Sequence, residues 1–327
     1  MYPILFILIT AWVGASTHSQ NCCEIDSHTI SAPIGVMGDH MHPKGEWMLS
    51  IRHMNMDMQT NRSGGNILSS VDIFNQGYMV APLSMNMSMN MLSFMKAPSD
   101  DINWMIMIPQ IETNMHHEMA NGRRFKTRSK GLGDIKLSLM QRRKQSTSLV
   151  SLFSWGVSVP TGSIEERDFT PMNANALLPY PMQLGSGTYD FQPSYTVVSS
   201  KLDNAYGFQC KYLLRTGKNK FDYRLGNRID LNVWRSKQVG KHSLGLRLSY
   251  NQWENIKGRD SRLNPGMVPT ADPNLRDGRR LKIGLGFNLN LGEGALAFEW
   301  VKPILQRLKG PQLGLEDTFT IGYKYTF

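Results

Sequence analysis

Asp317-Thr-Phe-Thr-Ile-Gly-Tyr-Lys-Tyr-Thr-Phe327, at the C-terminus of the 327-residue chain, decides the reading of the fold. Phe319, Ile321, Tyr323, Tyr325 and Phe327 fall on one face, and Thr318, Thr320, Gly322, Lys324 and Thr326 on the other. Side chains alternate across a strand, so this is a strand with one apolar, aromatic face and one small or polar face. A soluble sandwich strand can alternate in this way, but such a concentration of aromatics, stopping on Phe, fits the closing strand of a transmembrane barrel with its interfacial aromatic girdles.

The pattern repeats toward the N-terminus. Leu281, Ile283, Leu285, Phe287, Leu289 and Leu291 alternate with Lys282, Gly284, Gly286, Asn288 and Asn290. Leu244, Leu246, Leu248 and Tyr250 alternate with Ser243, Gly245, Arg247 and Ser249, and Tyr206, Phe208, Cys210, Tyr212 and Leu214 with Gly207, Gln209, Lys211 and Leu213. Glycines and charges on one face, apolar groups on the other, suit a polar lumen and a lipid exterior. The spacing predicts strands at 46–58, 85–97, 102–112, 133–143, 148–159, 188–200, 204–216, 226–236, 242–254, 279–291, 295–305 and 317–327. Each is near the roughly 9–11 residues that cross a bilayer at a tilt.

The connections between these segments alternate in length. Residues 98–101, 144–147, 201–203, 237–241 and 292–294 are short; 59–84, 113–132, 160–187 and 255–278 are long, with 217–225 and 306–316 intermediate. Tight periplasmic turns and longer external loops produce this parity in outer-membrane barrels. The expected fold class is therefore all-β, a transmembrane antiparallel β-barrel of about twelve strands spanning 46–327, with both ends periplasmic. Residues 16–45 are then a periplasmic tail or a plug.

Composition agrees with this reading. Mean hydropathy is -0.33 and no internal run approaches the roughly 20 apolar residues of a spanning helix. The one long apolar run, Tyr2 to Ala15, is short, early and followed by small residues, which marks 1–15 as a signal peptide. Cys22, Cys23 and Cys210 make no disulfide framework. The net charge of +10 would suit nucleic acid, but an exported barrel does not meet it. Anionic outer-membrane lipid and lipopolysaccharide are the expected partners. Two loops concentrate that charge: Arg123, Arg124, Lys126, Arg128 and Lys130 in 113–132, and Lys257, Arg259, Arg262 and Arg276 in 255–278.

Methionine is the unusual residue. Of 21, 16 lie between Met37 and Met119, in runs such as Met54-Asn-Met56-Asp-Met58 and Met85-Asn-Met87-Ser-Met89-Asn-Met91. Histidines accompany them: His40 and His42 around Met41, His53 before Met54, and Met115-His116-His117-Glu118-Met119. Thioethers suit Cu(I) and imidazole Cu(II), so Met54, Met56, Met58, His53, Met115, His116, His117, Met119, His40 and His42 are candidate metal ligands, with copper as the metal. Methionine is also an adaptable apolar filler. Trp47, Leu49 and Ile51 fix the outward face of the first strand, which turns Met54, Met56 and Met58 inward and leaves His53 outward. In the second strand Asn86, Ser88 and Asn90 suggest that Met85 to Met91 face lipid, with a bulge near Met91 to restore the parity of Leu92 and Phe94. No catalytic constellation stands out: there is no His-x-Ser pair, Glu165-Glu166-Arg167-Asp168 sits in one loop without a histidine, and no helix follows Gly131-x-Gly133.

Ala32-Pro-Ile-Gly-Val-Met-Gly-Asp-His-Met-His42, Gly45-Glu-Trp-Met48, Pro160-Thr-Gly-Ser163, Leu178-Pro-Tyr-Pro-Met-Gln-Leu-Gly-Ser-Gly-Thr-Tyr-Asp190 and Pro269-Thr-Ala-Asp-Pro273 together resemble the outer-membrane transporter family labelled "MetA-pathway of phenol degradation". The resemblance covers most of 32–327 and is most specific at 178–190. It implies a barrel in the bacterial outer membrane with a transport role, broadly similar to channels for small, hydrophobic compounds. With no catalytic constellation in the sequence, no enzymatic activity is expected, and copper is the one cofactor the residues suggest. Its methionine- and histidine-rich form resembles a copper-handling subgroup, which implies the alternative of a copper-binding barrel without a continuous pore. Assembly machinery that engages the C-terminal strand is a further expected partner.

Overall fold

The computed structural model describes residues 30–146 and 148–327. The expected signal peptide, Cys22 and Cys23 lie outside them. The wall is built from β1 (Trp47–Gly64), β2 (Val80–Ser99), β3 (Ile102–Met119), β4 (Arg124–Leu132), β5 (Ile135–Gln145), β6 (Leu149–Val159), β7 (Asp190–Lys201), β8 (Asn204–Arg215), β9 (Arg228–Val239), β10 (His242–Trp253), β11 (Gly278–Leu291) and β12 (Gly294–Thr326). Neighbours in sequence pair antiparallel around the ring, and β12 returns to pair with β1, which closes the sheet. Closure leaves no unpaired edge, the condition for strands to cross a membrane.

Two elements need unpacking to count the crossings. β4 and β5 pair in sequence with the upper and lower halves of β3, around a break at Gly133 and Asp134, and form one crossing. β12 is a hairpin: its first half runs against β11 and its second half against β1. The two halves meet each other as well. The Gln306 side chain accepts from Leu315 N at 2.9 Å and donates to Leu315 O at 2.8 Å, and Thr326 N donates to Glu293 O at 3.0 Å. Gly310, at φ +67°, makes the reversal. A left-handed backbone is cheap only for glycine. The barrel thus crosses twelve times.

Turns at 100–101, 202–203, 240–241 and 292–293 share one end with Trp47 and Phe327, while 65–79, 160–189, 216–227 and 254–277 open at the other. Several strands run further toward the long-loop end than hydrophobicity predicts. β1 continues to Gly64 and β2 starts at Val80, so 59–84 is only partly loop. The expected loop 113–132 is mostly ladder: Glu118 pairs with Arg124 and Gln110 with Leu132, around a turn at 120–123. The expected connection 306–316 is likewise strand on either side of Gly310. Beyond the apolar belt both faces of a strand meet water, so alternation fades while backbone pairing continues.

The aromatic face of the last strand points outward, with Phe319 52% and Phe327 63% exposed. Phe327 also seals the ring: Trp47 N donates to Phe327 O at 2.8 Å and Phe327 N to Trp47 O at 2.9 Å. Deleting Phe327 removes both bonds and one ring of the girdle. The heat-modifiable, folded fraction of the protein is expected to fall several-fold, to be read by gel shift of unboiled samples; an unchanged fraction would show that the seal at this pair is dispensable.

Candidate functional site: the lumen

The inward faces of β1 to β3 form a methionine wall. Met54, Met56 and Met58 pair across the sheet with Met89, Met87 and Met85, all on the inner face. The β1–β2 ladder runs without a shift from Trp47–Lys96 to Gln59–Ser84. Met85, Met91 and Met95 are buried, and Phe94 points out. The sequence-based expectation that Met85 to Met91 face lipid is thus reversed, and no bulge near Met91 is present. The outward Asn86 instead donates to the equally outward Asn55 (2.7 Å) and Asp57 (2.6 Å), satisfying polar groups that small-residue alternation alone suggested were lumenal. Met105 and Met107 of β3 continue the wall, packing with Met48, Met91, Met95, Met140 and Leu152.

The facing strands, β8 to β11, are polar and basic inside. Lys211 pairs with Asp230, Asp230 with Asn251, and Asn251 with Arg280, one position on each of four adjacent strands. Lys282, paired with Ser249, is one inward step below Arg280. Asp230 accepts from Arg228 at 2.7 Å and from Asn251. Lower down, Arg247 forms a buried two-pronged pair with Glu299 (2.7 and 2.9 Å) and donates to Asn232 at 3.0 Å. Removing one partner from such a pair typically costs about 3–5 kcal/mol, because the other charge is left buried alone.

Residues 30–42 lie inside the short-turn end of the barrel, and 43–46 run over its rim to β1, where Gly45 N donates to Ala97 O at 2.8 Å and Lys44 N to Asp100 at 2.8 Å. Arg52 donates to Ile34 O at 2.7 Å, Gln209 to Met37 O at 2.8 Å, and Lys324 to Ser31 Oγ at 3.3 Å. Ala32, Ile34 and Val36 are buried. Wall glycines make the room: a Cβ at Gly245 would stand 2.7 Å from the Pro33 ring, and one at Gly286 3.0 Å. The first approach would collide and the second would force a shift, so these inward glycines form a seat for the segment. His40 and His42 belong to it, their Nδ1 atoms bonded to Asp39 (2.8 Å) and Glu46 (3.1 Å).

At the other end the loop 160–189 dips inward. Leu178 and Met182 are buried among Met85, Met115 and Leu313, with Met58 and Met87 beside them. The outer loops are tied together above. Asp260 N donates to the Tyr180 hydroxyl at 3.0 Å, and Arg262 bridges Asp260 (2.7 Å) and Glu165 (3.0 Å) while lying 3.4 Å over the Phe221 ring. Glu165 also pairs with Lys220. Hydrogen bonds from Lys220 and then Arg262 hold the Glu165 carboxyl below its ordinary range.

The ten residues expected as metal ligands are not gathered into one site. Met54, Met56 and Met58 face the lumen. His53 keeps its outward parity and bonds Asn90 at 2.8 Å, and His116 is also outward and exposed. His117 is buried, bonded to Thr127 at 3.0 Å and stacked on Phe125 at 4.8 Å. Met115 packs with the inward loop, Met119 ends β3, and His40 and His42 lie at the opposite end of the lumen. Among the described residues no three His, Cys, Asp or Glu side chains form a metal-holding group. Of the basic residues assigned to the loop 255–278 by sequence, Arg276 donates to Gln312 at 2.9 Å, and Arg280, in the strand expected at 279–291, turns inward. Sequence reasoning missed the basic wall because Lys211 and Lys282 are scattered singly among inward positions. The signal was there in their shared parity with glycines.

No family model and no curated protein matches the chain. Solved structures do. An outer-membrane channel from Pseudomonas putida F1 superposes with a TM-score of 0.64 at 11% identity, over 89% of this chain and 98% of that one. The NanC porin reaches 0.45 at 8% identity (85% and 98%), and a FadL homologue from Pseudomonas aeruginosa 0.41 at 11% (86% and 90%). At such identities the first likeness is one of fold, and the other two carry nothing further. Fold and lumen define the class: a closed β-barrel of the outer-membrane type.

Arg262→Ala should free the outer loops. Hydrogen exchange through 160–189 and 255–277 is expected to rise at neutral pH. In the unaltered protein the tie involving Glu165 is present at neutral pH and is lost as pH falls through its depressed pKa, so the same rise should need acidification below the ordinary carboxylate range. Equal exchange in the two proteins at neutral pH would show that Arg262 does not hold the rim.

Proposed function

We propose that the protein is a channel of the bacterial outer membrane that passes small, largely apolar compounds, of the kind implied by its resemblance to the phenol-degradation transporters. The observation that carries this reading is the methionine wall. Thioether side chains are apolar, flexible and polarizable, and here they line the interior of a barrel whose exterior already has an apolar belt. An interior meant only for water and ions has no need of such a surface. Ligand sites in general are apolar clefts with a few fixed polar groups, and the wall facing the methionines supplies those groups. The fold of the Pseudomonas putida channel is consistent with this reading.

The outer-membrane location rests on the aromatic girdle and on charge. Arg124, Lys126, Arg128 and Lys130 share the outward face of β4, beyond the apolar belt, where Glu112 and Glu118 only partly offset them. Such a stripe fits the phosphates of lipopolysaccharide, since guanidinium and ammonium groups bind phosphate with charge-assisted hydrogen bonds.

Residues 30–42 act as an inner stopper in this account. Deletion of 30–43 should raise single-channel conductance in planar bilayers, because a seated segment no longer fills part of an aqueous lumen. Liposomes carrying the shortened protein should also take up phenol faster than those carrying the full chain. A folded, heat-modifiable deletion variant with no gain in either measurement would contradict the channel reading.

A further inference from the structure

The space between the two stoppers has two unlike walls, and their placement follows from strand order. With twelve crossings, β1, β2 and β3 stand across the barrel from β8, β9 and β10. Met54 is seven residues from Trp47 at the short-turn end of β1, Lys211 seven from Asn204 at that end of β8, and Lys282 nine from Leu291 at that end of β11. The methionines and the cations therefore share one level. They lie above the segment 30–42, which reaches Arg52, Gln209 and Gly286, and below Leu178 and Met182.

Both walls border open space at this level. Met54 and Met56 are half-buried on one side and Lys211, Arg280 and Lys282 on the other, with Lys136 of β5 at the flank, paired to Met107. Cations outnumber acids among these residues. The charges of Lys136, Lys211, Arg280 and Lys282 all fall within the field of Arg228; of the nearby carboxylates, Asp230 is engaged by Arg228 and Asn251, and Asp134, close to Lys136, by Gly162 N and Ser186. None of Lys136, Lys211, Arg280 and Lys282 forms an ion pair with an acid among the described residues. Arg280 donates from Nη2 to Leu313 O at 3.4 Å, while its Nε is buried without a hydrogen-bond partner and its guanidinium lies 5.0 Å from the inward Trp253 ring. Like charges gathered inside a wall, with donors left open, are stabilised by an anion that enters among them.

We propose that this chamber binds organic anions with an apolar body, in effect carboxylates on an aromatic or alkyl stem, the carboxylate held by Lys211, Lys282 and Arg280 and the stem laid against Met54, Met56, Met87 and Met89. The inference deepens the channel reading by naming its solute class, and it rests on that reading only for passage, since the chamber can bind without conducting. A neutral compound of the same shape meets only the methionine half of the site, and a cationic one is repelled by the other half.

The test uses three probes of one shape: 4-phenylbutyrate, 4-phenylbutan-1-ol and 4-phenylbutylamine. Calorimetry of the full-length protein in detergent should show the carboxylate binding about tenfold more tightly than the alcohol, as one charge-assisted contact confers, and no binding of the amine. Lys211→Gln with Lys282→Gln should abolish that preference while leaving alcohol binding unchanged. The corresponding pair of Arg substitutions should keep it, which separates charge from general disruption; heat-modifiability checks that each variant folds. Equal binding of carboxylate and alcohol by the unaltered protein, or a preference that survives the Gln pair, overturns the proposal. Bilayer recordings keep the two readings apart: conductance without carboxylate preference leaves the channel and removes the chamber, and carboxylate preference without conductance does the reverse.

Discussion

A backbone group facing hydrocarbon has no water to bond, and each one left unpaired costs several kcal/mol. That constraint requires β12 to return to β1, and the reciprocal bonds between Trp47 and Phe327 complete the return. Once the sheet closes, every second residue of every strand is committed to the interior. Which strands face one another is then a matter of counting around the ring. The two-walled lumen is a consequence of closure acting on a sequence that places methionine in its first three strands and basic residues in its later ones.

Interior and stopper are fitted to each other. The segment 30–42 has backbone carbonyls that need donors, and Arg52, Gln209 and Asn288 supply them. The inward glycines of β10 and β11 leave space for Pro33, and Gly35 sits against the Arg247–Glu299 pair, where a Cβ would collide with both side chains. Polar atoms that would be costly on a dry wall are thereby used to seat a strand-free piece of chain. The outer end is organised differently: apolar contacts of Leu178 and Met182 turn the loop inward, and the Arg262 ties hold neighbouring loops over it.

Much of the fold was legible in the sequence because lipid imposes a strict period of two. The outward runs Leu244 to Tyr250 and Phe319 to Phe327 lie where alternation puts them, and the short turns separate the strands as expected. Legibility failed where the period stopped carrying information. Above the apolar belt, in 113–119 and 124–132, both faces are wet and the ladder is invisible to hydropathy. In β2, methionine alternates with Asn and Ser, and either set suits either face; only the unbroken register with β1 settles it. The candidate site was half legible. The inward parity of Met54, Met56 and Met58 follows from Trp47 and Ile51, but their opposition to Lys211 and Lys282 needs the strand count and the order around the ring. The separation of His53 and His116 from His117 is also a matter of parity, which the runs of adjacent histidines and methionines obscured.

The central claim is that the β2 methionines line a lumen facing the basic wall. Single cysteines at Met87 and Asn90, in a background lacking the native cysteines and reconstituted in liposomes, test it directly when each carries an environment-sensitive fluorophore. The account predicts that the label at 87 is quenched by iodide and spared by a lipid-borne quencher, and that quenching at 87 by iodide weakens when Lys211 and Lys282 become Gln, because those charges concentrate the anion beside it. A label at 87 quenched from the lipid, with the one at 90 quenched only from water, would place the methionine stripe outside and contradict the account.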